Sequence, residues 1–243
     1  MSLFLLGVVT SAGLAVNGVE LRVDAQTAVL RNGAPSTARA IEAGELVAVR
    51  AQGDERAARA LSVAILDAVI GPVTAVDAPA GTIHVLGDAV RLDPTTRYGD
   101  GLSRARLLAA QAGERLRVCG LRLPDGSLLA TRIEAAPAAL ASRVGPSLPE
   151  PAPGERFIVE GYVAGSPASG EVLVGGLGVG LDPGAGAPLA DGDLVRATGR
   201  TNDDGTRVVE RARVLDTPFG APATRERPAR PDGRPQRGDL GVR

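Results

Sequence analysis

Short runs in which apolar and polar residues alternate, bounded by Gly, Pro, Asp or Asn, recur from Leu3 to Val214. Gly44-Glu45-Leu46-Val47-Ala48-Val49, Gly113-Glu114-Arg115-Leu116-Arg117-Val118 and Gly192-Asp193-Leu194-Val195-Arg196-Ala197 show the pattern of a strand with one buried face. Each leads into a turn, at Gly53-Asp54, Pro124-Asp125-Gly126 or Asp203-Asp204-Gly205. A return strand is then predicted at Ala60-Leu61-Ser62-Val63, Ala130-Thr131-Arg132-Ile133 and Arg211-Ala212-Arg213-Val214.

The runs fall into three copies. Gly7-Val8-Val9 returns as Gly71-Pro72-Val73 and Gly161-Tyr162-Val163, each opening a segment of strand-forming residues. A hairpin follows in each copy: Val16-Asn17-Gly18-Val19 into Leu21-Arg22-Val23-Asp24, Val85-Leu86-Gly87 into Val90-Arg91-Leu92-Asp93, and Val174-Gly175-Gly176 into Val179-Gly180-Leu181-Asp182. Asn-Gly and Gly-Gly supply the positive φ that tight hairpin turns require. Five strands per copy result.

The interval from the hairpin aspartate to the second glycine differs between copies. It is 20 positions from Asp24 to Gly44 and from Asp93 to Gly113, but 10 from Asp182 to Gly192. In copy two it holds Ser103 to Gln111, predicted as an N-capped helix with Gly113 as its stop. Copy one has room for a turn of helix near Ala38-Arg39-Ala40-Ile41, and copy three has none. Three strands, a helix and two strands is the order of an OB barrel, the competing arrangement being a series of unrelated antiparallel hairpins. The expected fold class is all-β: three tandem OB-like five-stranded barrels, the third shortened.

The expected domains are repeat one over 1–67, repeat two over 68–135, a Pro-rich linker over 136–155, repeat three over 156–216 and an Arg/Pro-rich disordered tail over 217–243. Ile65-Leu66-Asp67-Ala68-Val69-Ile70 nearly fuses copies one and two, which should move as a pair. Pro137, Pro146, Pro149, Pro151 and Pro153 predict a semi-rigid spacer that holds copy three at a distance, with a short helix over Ala138 to Arg143 as a weaker element.

These openings and hairpins, Thr95-Thr96-Arg97-Tyr98 and the Gly44, Gly113 and Gly192 strands together resemble the bacterial tandem-repeat family catalogued as domain of unknown function number fifty-six sixty-six. The resemblance covers residues 7 to 215 and is strongest in copy two. It implies an exported, OB-like module, periplasmic or extracellular, and carries no catalytic residues with it. Members of the family usually have an export segment ahead of the first repeat. Gly7 lies close to Met1, so the true start is expected upstream of the given one; Met1 to Val9 lacks the positive flank of a signal peptide.

Composition narrows the chemistry. The apolar content is 44% but the aromatic content only 2%, so the cores must be aliphatic. With 27 basic residues, all Arg, against 28 acidic ones, the chain has no positive field to draw nucleic acid, which is not expected as a partner. One cysteine, Cys119, excludes an intrachain disulfide and reads as a small buried hydrophobe. No apolar run is long enough for a transmembrane helix.

Candidate chemistry is sparse. The lone His84 is expected to face solvent opposite Ile83 and Val85, with no second His to build a metal or catalytic set. Asp24, Asp93 and Asp182 recur at a strand end, where Asp accepts from turn amides. Gly175 to Gly180 lacks the strand-then-helix context of a nucleotide loop, and no Gly-x-Ser-x-Gly elbow occurs. The expectation is a non-catalytic envelope or secreted module, without a cofactor or metal, that scaffolds or docks an unknown protein or small ligand. The alternative is a ligand-binding barrel for an oligosaccharide, a single-stranded nucleic acid or a divalent ion. Its candidate residues are Arg97, Tyr98 and Asp100 in copy two.

Overall fold

The structure is a computed structural model that describes residues 1–10, 14–145, 148–166, 170–182 and 189–216. The predicted tail over 217–243 lies outside the described residues.

Copy one contains β1 (Ser2–Val8), β2 (Ala15–Val16), β3 (Val19–Arg22), β4 (Ala28–Arg31), β5 (Ala34–Pro35), a 3₁₀ turn (Ala38–Ala40), β6 (Leu46–Gly53) and β7 (Ala57–Ile65). Copy two contains β8 (Val69–Asp77), β9 (Thr82–Val85), β10 (Asp88–Arg91), β11 (Arg97–Tyr98), α1 (Arg104–Leu108), β12 (Arg115–Arg122) and β13 (Leu128–Ala135). A two-residue strand, β14 (Arg143–Val144), follows it. Copy three contains β15 (Arg156–Ala164), β16 (Glu171–Val174), β17 (Leu177–Leu181), β18 (Leu194–Thr201) and β19 (Arg207–Val214).

Copy two is a closed OB-type barrel. Its sheet runs β10-β9-β8-β12-β13, and β10 closes on β13 in parallel at Val90↔Leu128 and Arg91↔Leu129. Copy three, expected to be reduced, closes by the same route, with β17 parallel to β19 at Gly180↔Val208 and Leu181↔Val209. The helix interval is therefore dispensable for closure. Copy one closes β3 on β7 in parallel, and among the described residues its β1–β2 joint consists of the bridge Val9↔Val16 with Thr10 N donating to Ala15 O. Its long interval adds the β4–β5 hairpin, and β4 runs parallel beside β7, as β11 does beside β13.

In copy two the predicted helix is shorter than Ser103 to Gln111. The Ser103 hydroxyl accepts from the Arg106 amide at 3.2 Å and the fully buried Leu107 enters the barrel core, but the helix ends at Leu108. The fifth strand carries a one-residue bulge in every copy, at Leu61, Thr131 and Glu210. The copy-three counterpart of Ala60 to Val63 is thus Val209 to Ala212, two positions before the predicted return strand.

The same turn seats all three first hairpins. Asn17, Leu86 and Gly175 have φ of 55°, 54° and 58°, and the glycine after each is also positive, at 81°, 91° and 89°. Both central residues being positive marks the turn that matches strand twist. This turn folds down onto the first-strand glycine: a Cβ on Gly7, Gly71 or Gly161 would overlap Asn17, Leu86 or Gly175. The recurrent first-strand glycine is a site of close approach.

The spacer expectation is overturned. β1 pairs with β15 in parallel, from Leu3↔Arg156 to Leu6↔Val159, which joins copies one and three in a 12-stranded sheet. Phe4, Leu6 and Val8 pack with Phe157, Val159, Val174 and Leu194 in one apolar cluster, with Leu121 of copy two in the same cluster. Leu3, Leu5 and Val9 point into barrel one, where Ile158 joins them. The unbroken apolar run Leu3 to Leu6 thus reflects a strand buried on both faces. The linker is tied down as well. Arg115 donates to the Leu140 carbonyl at 2.5 Å and Arg50 to the Glu150 carbonyl at 2.7 Å, and Pro151 is buried. The helix suggested over Ala138 to Arg143 is replaced by a turn closed by Leu140 N to Pro137 O and then by β14.

Candidate functional site

Two of the three residues singled out from the sequence share a groove. Arg97 and Tyr98 lie on β11, whose pairing with β13 sets Arg97 beside Arg132 and Tyr98 beside Ile133. With Ile41, Glu42, Ala43 and Arg132 they line a cleft of about 500 Å³ between copies one and two. Asp100 is exposed and does not line it. Tyr98 packs against the copy-two core, and burial pushes its pKa up, so its ring is part of the groove wall.

Behind the groove lies a charge cluster that sequence reasoning missed. Asp67 has 0% exposure at the junction of the first two copies. Its carboxylate accepts from Arg31 Nη1 at 2.8 Å and Asn32 Nδ2 at 2.6 Å, while the Asp67 amide donates to Asn32 Oδ1 at 3.0 Å. Arg31 also reaches Glu45, buried at 1% exposure, and the Ala40 carbonyl at 3.1 Å. Arg117 pairs with Glu134, and Arg132 bridges Glu134 to Glu42 across the junction. An acid inside the apolar run Ile65 to Ile70 was the available signal, since a buried carboxylate must find partners.

The electrostatics follow from this enclosure. Burial raises the Glu45 pKa even though the Arg31 cation opposes the shift. Burial also pushes Glu134 upward, but hydrogen bonds from Arg117 and Arg132 outweigh it and the net shift is downward. Cys119 Sγ lies 3.4 Å from Asp67 Oδ1, and burial, with Asp67 and Glu45 nearby, raises the thiol well above its ordinary value. A thiol in that state is a poor nucleophile.

Other expected positions adopt local roles. Asp24 Oδ1 accepts the Gln26 amide at 2.9 Å, and Asp93 Oδ1 accepts the amides of Thr95 and Thr96 at 2.8 and 3.0 Å. The Thr27 and Thr96 hydroxyls anchor these turns to the Ala60 and Ala130 carbonyls. His84 is partly exposed, opposite the buried Ile83 and Val85. Gly175 to Gly180 forms the turn and second strand of the β16–β17 hairpin. No group of three or more His, Cys, Asp or Glu placed to hold a metal occurs among the described residues.

A larger groove, about 830 Å³, lies on copy three over β16, β17 and β19. Its lining includes Gly170, Gly178, Gly180 and Gly205, with Glu171 and Arg207 as its charged members. Barrel order, closure and the recurrent turn describe one repeating unit, and a family model, Domain of unknown function (DUF5666), matches residues 7–63 and 70–134, together half of the chain. The chain belongs to that family. The two matched DUF5666 segments correspond to copies one and two; copy three lies outside both and has the same strand order. No curated protein and no solved structure matches the chain.

Proposed function

We propose that this DUF5666 chain is a non-catalytic interaction or scaffolding module of the bacterial envelope or secreted space, acting as one rigid block of three barrels. The observation that carries this reading is the β1·β15 ladder, which merges the sheets of copies one and three. A block already ordered loses little conformational entropy when it docks, which suits a spacer or platform. The junction charges support the same reading, because Asp67, Glu45, Glu134 and Glu42 are each paired with an arginine and tie copies one and two together.

The test is cross-linking in intact cells with the tagged full chain, followed by fractionation. The expected result is a partner at fixed stoichiometry in the envelope or secreted fraction. Recovery in the cytoplasm alone, or without a partner at fixed stoichiometry, overturns the reading.

The copy-three groove favours a second reading, a ligand-binding barrel. Its glycine-rich floor lets a ligand approach the backbone closely, and its lining carries Glu171 and Arg207, the latter paired with Glu150. A thermal-shift screen of oligosaccharides, oligonucleotides and divalent ions tests it, because a ligand of the folded state raises the midpoint. No shift with any class counts against it.

A further inference from the structure

The fifth strand of each copy bonds strand four along one side and turns its other side outward. Leu66 N to Leu46 O, Ala136 N to Arg115 O and Leu215 N to Leu194 O, at 2.9, 2.9 and 2.8 Å, set the same phase in all three copies. Because antiparallel partners bond at alternate residues, the backbone groups of Val63 and Ile65, of Ile133 and Ala135, and of Ala212 and Val214 face away from strand four.

Copies one and two fill that outer edge with a parallel strand. β4 runs beside β7 from Ala28↔Ser62 to Arg31↔Ile65, and Asn32 N donates to Ile65 O at 3.0 Å. β11 runs beside β13 at Arg97↔Arg132 and Tyr98↔Ile133, and Gly99 N donates to Ile133 O at 2.8 Å. Val63, Ile65 and Ile133 are fully buried. In copy three, β17 meets β19 at Val208 and Val209, and among the described residues nothing pairs with the outer edge of residues 211–214. Ala212 is half-buried, Arg211 and Arg213 are exposed, and Val214 is 44% exposed.

An open edge is a template for a further strand, and the charges along this one select what can add. Alternation places Arg211 and Arg213 on the face opposite Ala212, where Arg211 makes a rim contact with Glu55 at 3.2 Å. A second β19 or another basic segment would set like charges beside these arginines, whereas acidic side chains would pair with them. The apolar position follows from the other copies: Val29 lies beside Val63 and Tyr98 beside Ile133, and Ala212 holds the same place in the register.

We infer that residues 211–214 of β19 dock an extended acidic segment of a partner protein, added in parallel as β4 and β11 are, with an apolar residue beside Ala212 and acidic residues beside Arg211 and Arg213. This deepens the interaction-module reading and rests on it. The pairing is measured with purified components, so its failure is distinct from a failure of cellular location or stoichiometry.

The test uses the full chain and a fluorescent Gly-Thr-Glu-Val-Glu-Thr-Gly peptide, with binding read by polarisation and hydrogen exchange followed on the same samples. In the free chain the Ala212 and Val214 amides should exchange about 10-fold or more faster than the Arg213 amide, which faces β18, and saturating peptide should slow them by a similar factor. Arg213→Glu, at an exposed position, should weaken binding about 10-fold or more, as should Lys in place of both Glu residues of the peptide. N-methylation of the second Glu, whose amide is the counterpart of Gly99 N, should weaken binding, while N-methylation of the Val, whose amide points away from β19, should not. Protection of both amides in the free monomer would mean that the chain covers its own edge, and protection with a doubled mass that a second copy does. Either result overturns the inference, as does the absence of binding or equal binding of the Glu and Lys peptides.

Discussion

Asn17 Nδ2 donates to the Ile158 carbonyl at 2.8 Å and to the Leu6 carbonyl at 3.0 Å, so one amide in the first hairpin turn clamps β1 and β15 together. The side chain is buried, at 4% exposure, and the two acceptors belong to different barrels. Asn17→Ala leaves both carbonyls without this donor and places a β-carbon residue at φ 55° without the local bonding that Asn offers. The expected loss is about 3 kcal/mol, read by urea unfolding, with reduced amide protection along β1 and β15.

Gly7 and Asn17 should be energetically coupled, since a Cβ on Gly7 would overlap Asn17 Oδ1. Gly7→Ala alone should cost about 2–3 kcal/mol as overpacking. In an Asn17→Gly background it should cost less than about 1 kcal/mol, because the obstructing side chain is gone. Additive penalties in the double-mutant cycle would contradict the close approach.

Asp67→Asn should cost about 1–3 kcal/mol, because it removes one of the two buried carboxylates, Asp67 and Glu45, that face the Arg31 guanidinium and disturbs the bonding with Asn32. Asp88→Asn breaks the Arg122 ion pair on an exposed rim and should cost about 0–1 kcal/mol. Denaturant midpoints of the two variants, measured side by side, check the contrast.

Asp24 carries a pH signature. The Arg59 side chain and then the Gln26 amide hold its pKa at about 2. A lowered folded pKa means that its contribution is present above the unfolded value of about 3.9 and is lost as pH falls through about 2. Glu45 acts in the opposite direction: its raised pKa favours the fold below the unfolded value and loses that effect as pH rises through the raised one. The thermal midpoint of the wild type should therefore fall more between pH 5 and pH 2 than that of Asp24→Asn, the difference isolating Asp24 from Glu45.

Cys119 should not react with a soluble alkylating reagent in the native chain, because the thiol is enclosed and its pKa is raised. Labelling should appear only with the unfolding transition. Labelling of native protein at a free-thiol rate would show that the junction opens.

Much of the site was illegible for the same reason that copy three was misplaced. Arg97 and Tyr98 were singled out because aromatic residues are scarce and Thr95-Thr96-Arg97-Tyr98 stands out in copy two, yet the groove they line exists only where Glu42 and Ala43 of copy one lie against them. Apart from the Arg132–Glu134 pair, the ion pairs of the Asp67 cluster join side chains 14 to 90 positions apart, a proximity that no local pattern encodes. Gly7, Gly71 and Gly161 were visible as a recurrence, but the residue lying over each is set by how the hairpin folds back.

The sequence by itself determined the repeat, the five strands, the Asn-Gly and Gly-Gly turns and the Ser103 cap, because these depend on side-chain period and on φ at single residues. It also held the run Leu3 to Leu6 in view without saying what covered its second face. Only the tertiary structure decided that β15 covers it, that copy three closes despite its shorter interval, and that Pro151 and the Leu140 and Glu150 carbonyls are held against the barrels. Strand pairing is made by backbone groups that every residue carries, so which open edge meets which is chosen by the packing of whole barrels and leaves little trace in the order of residues.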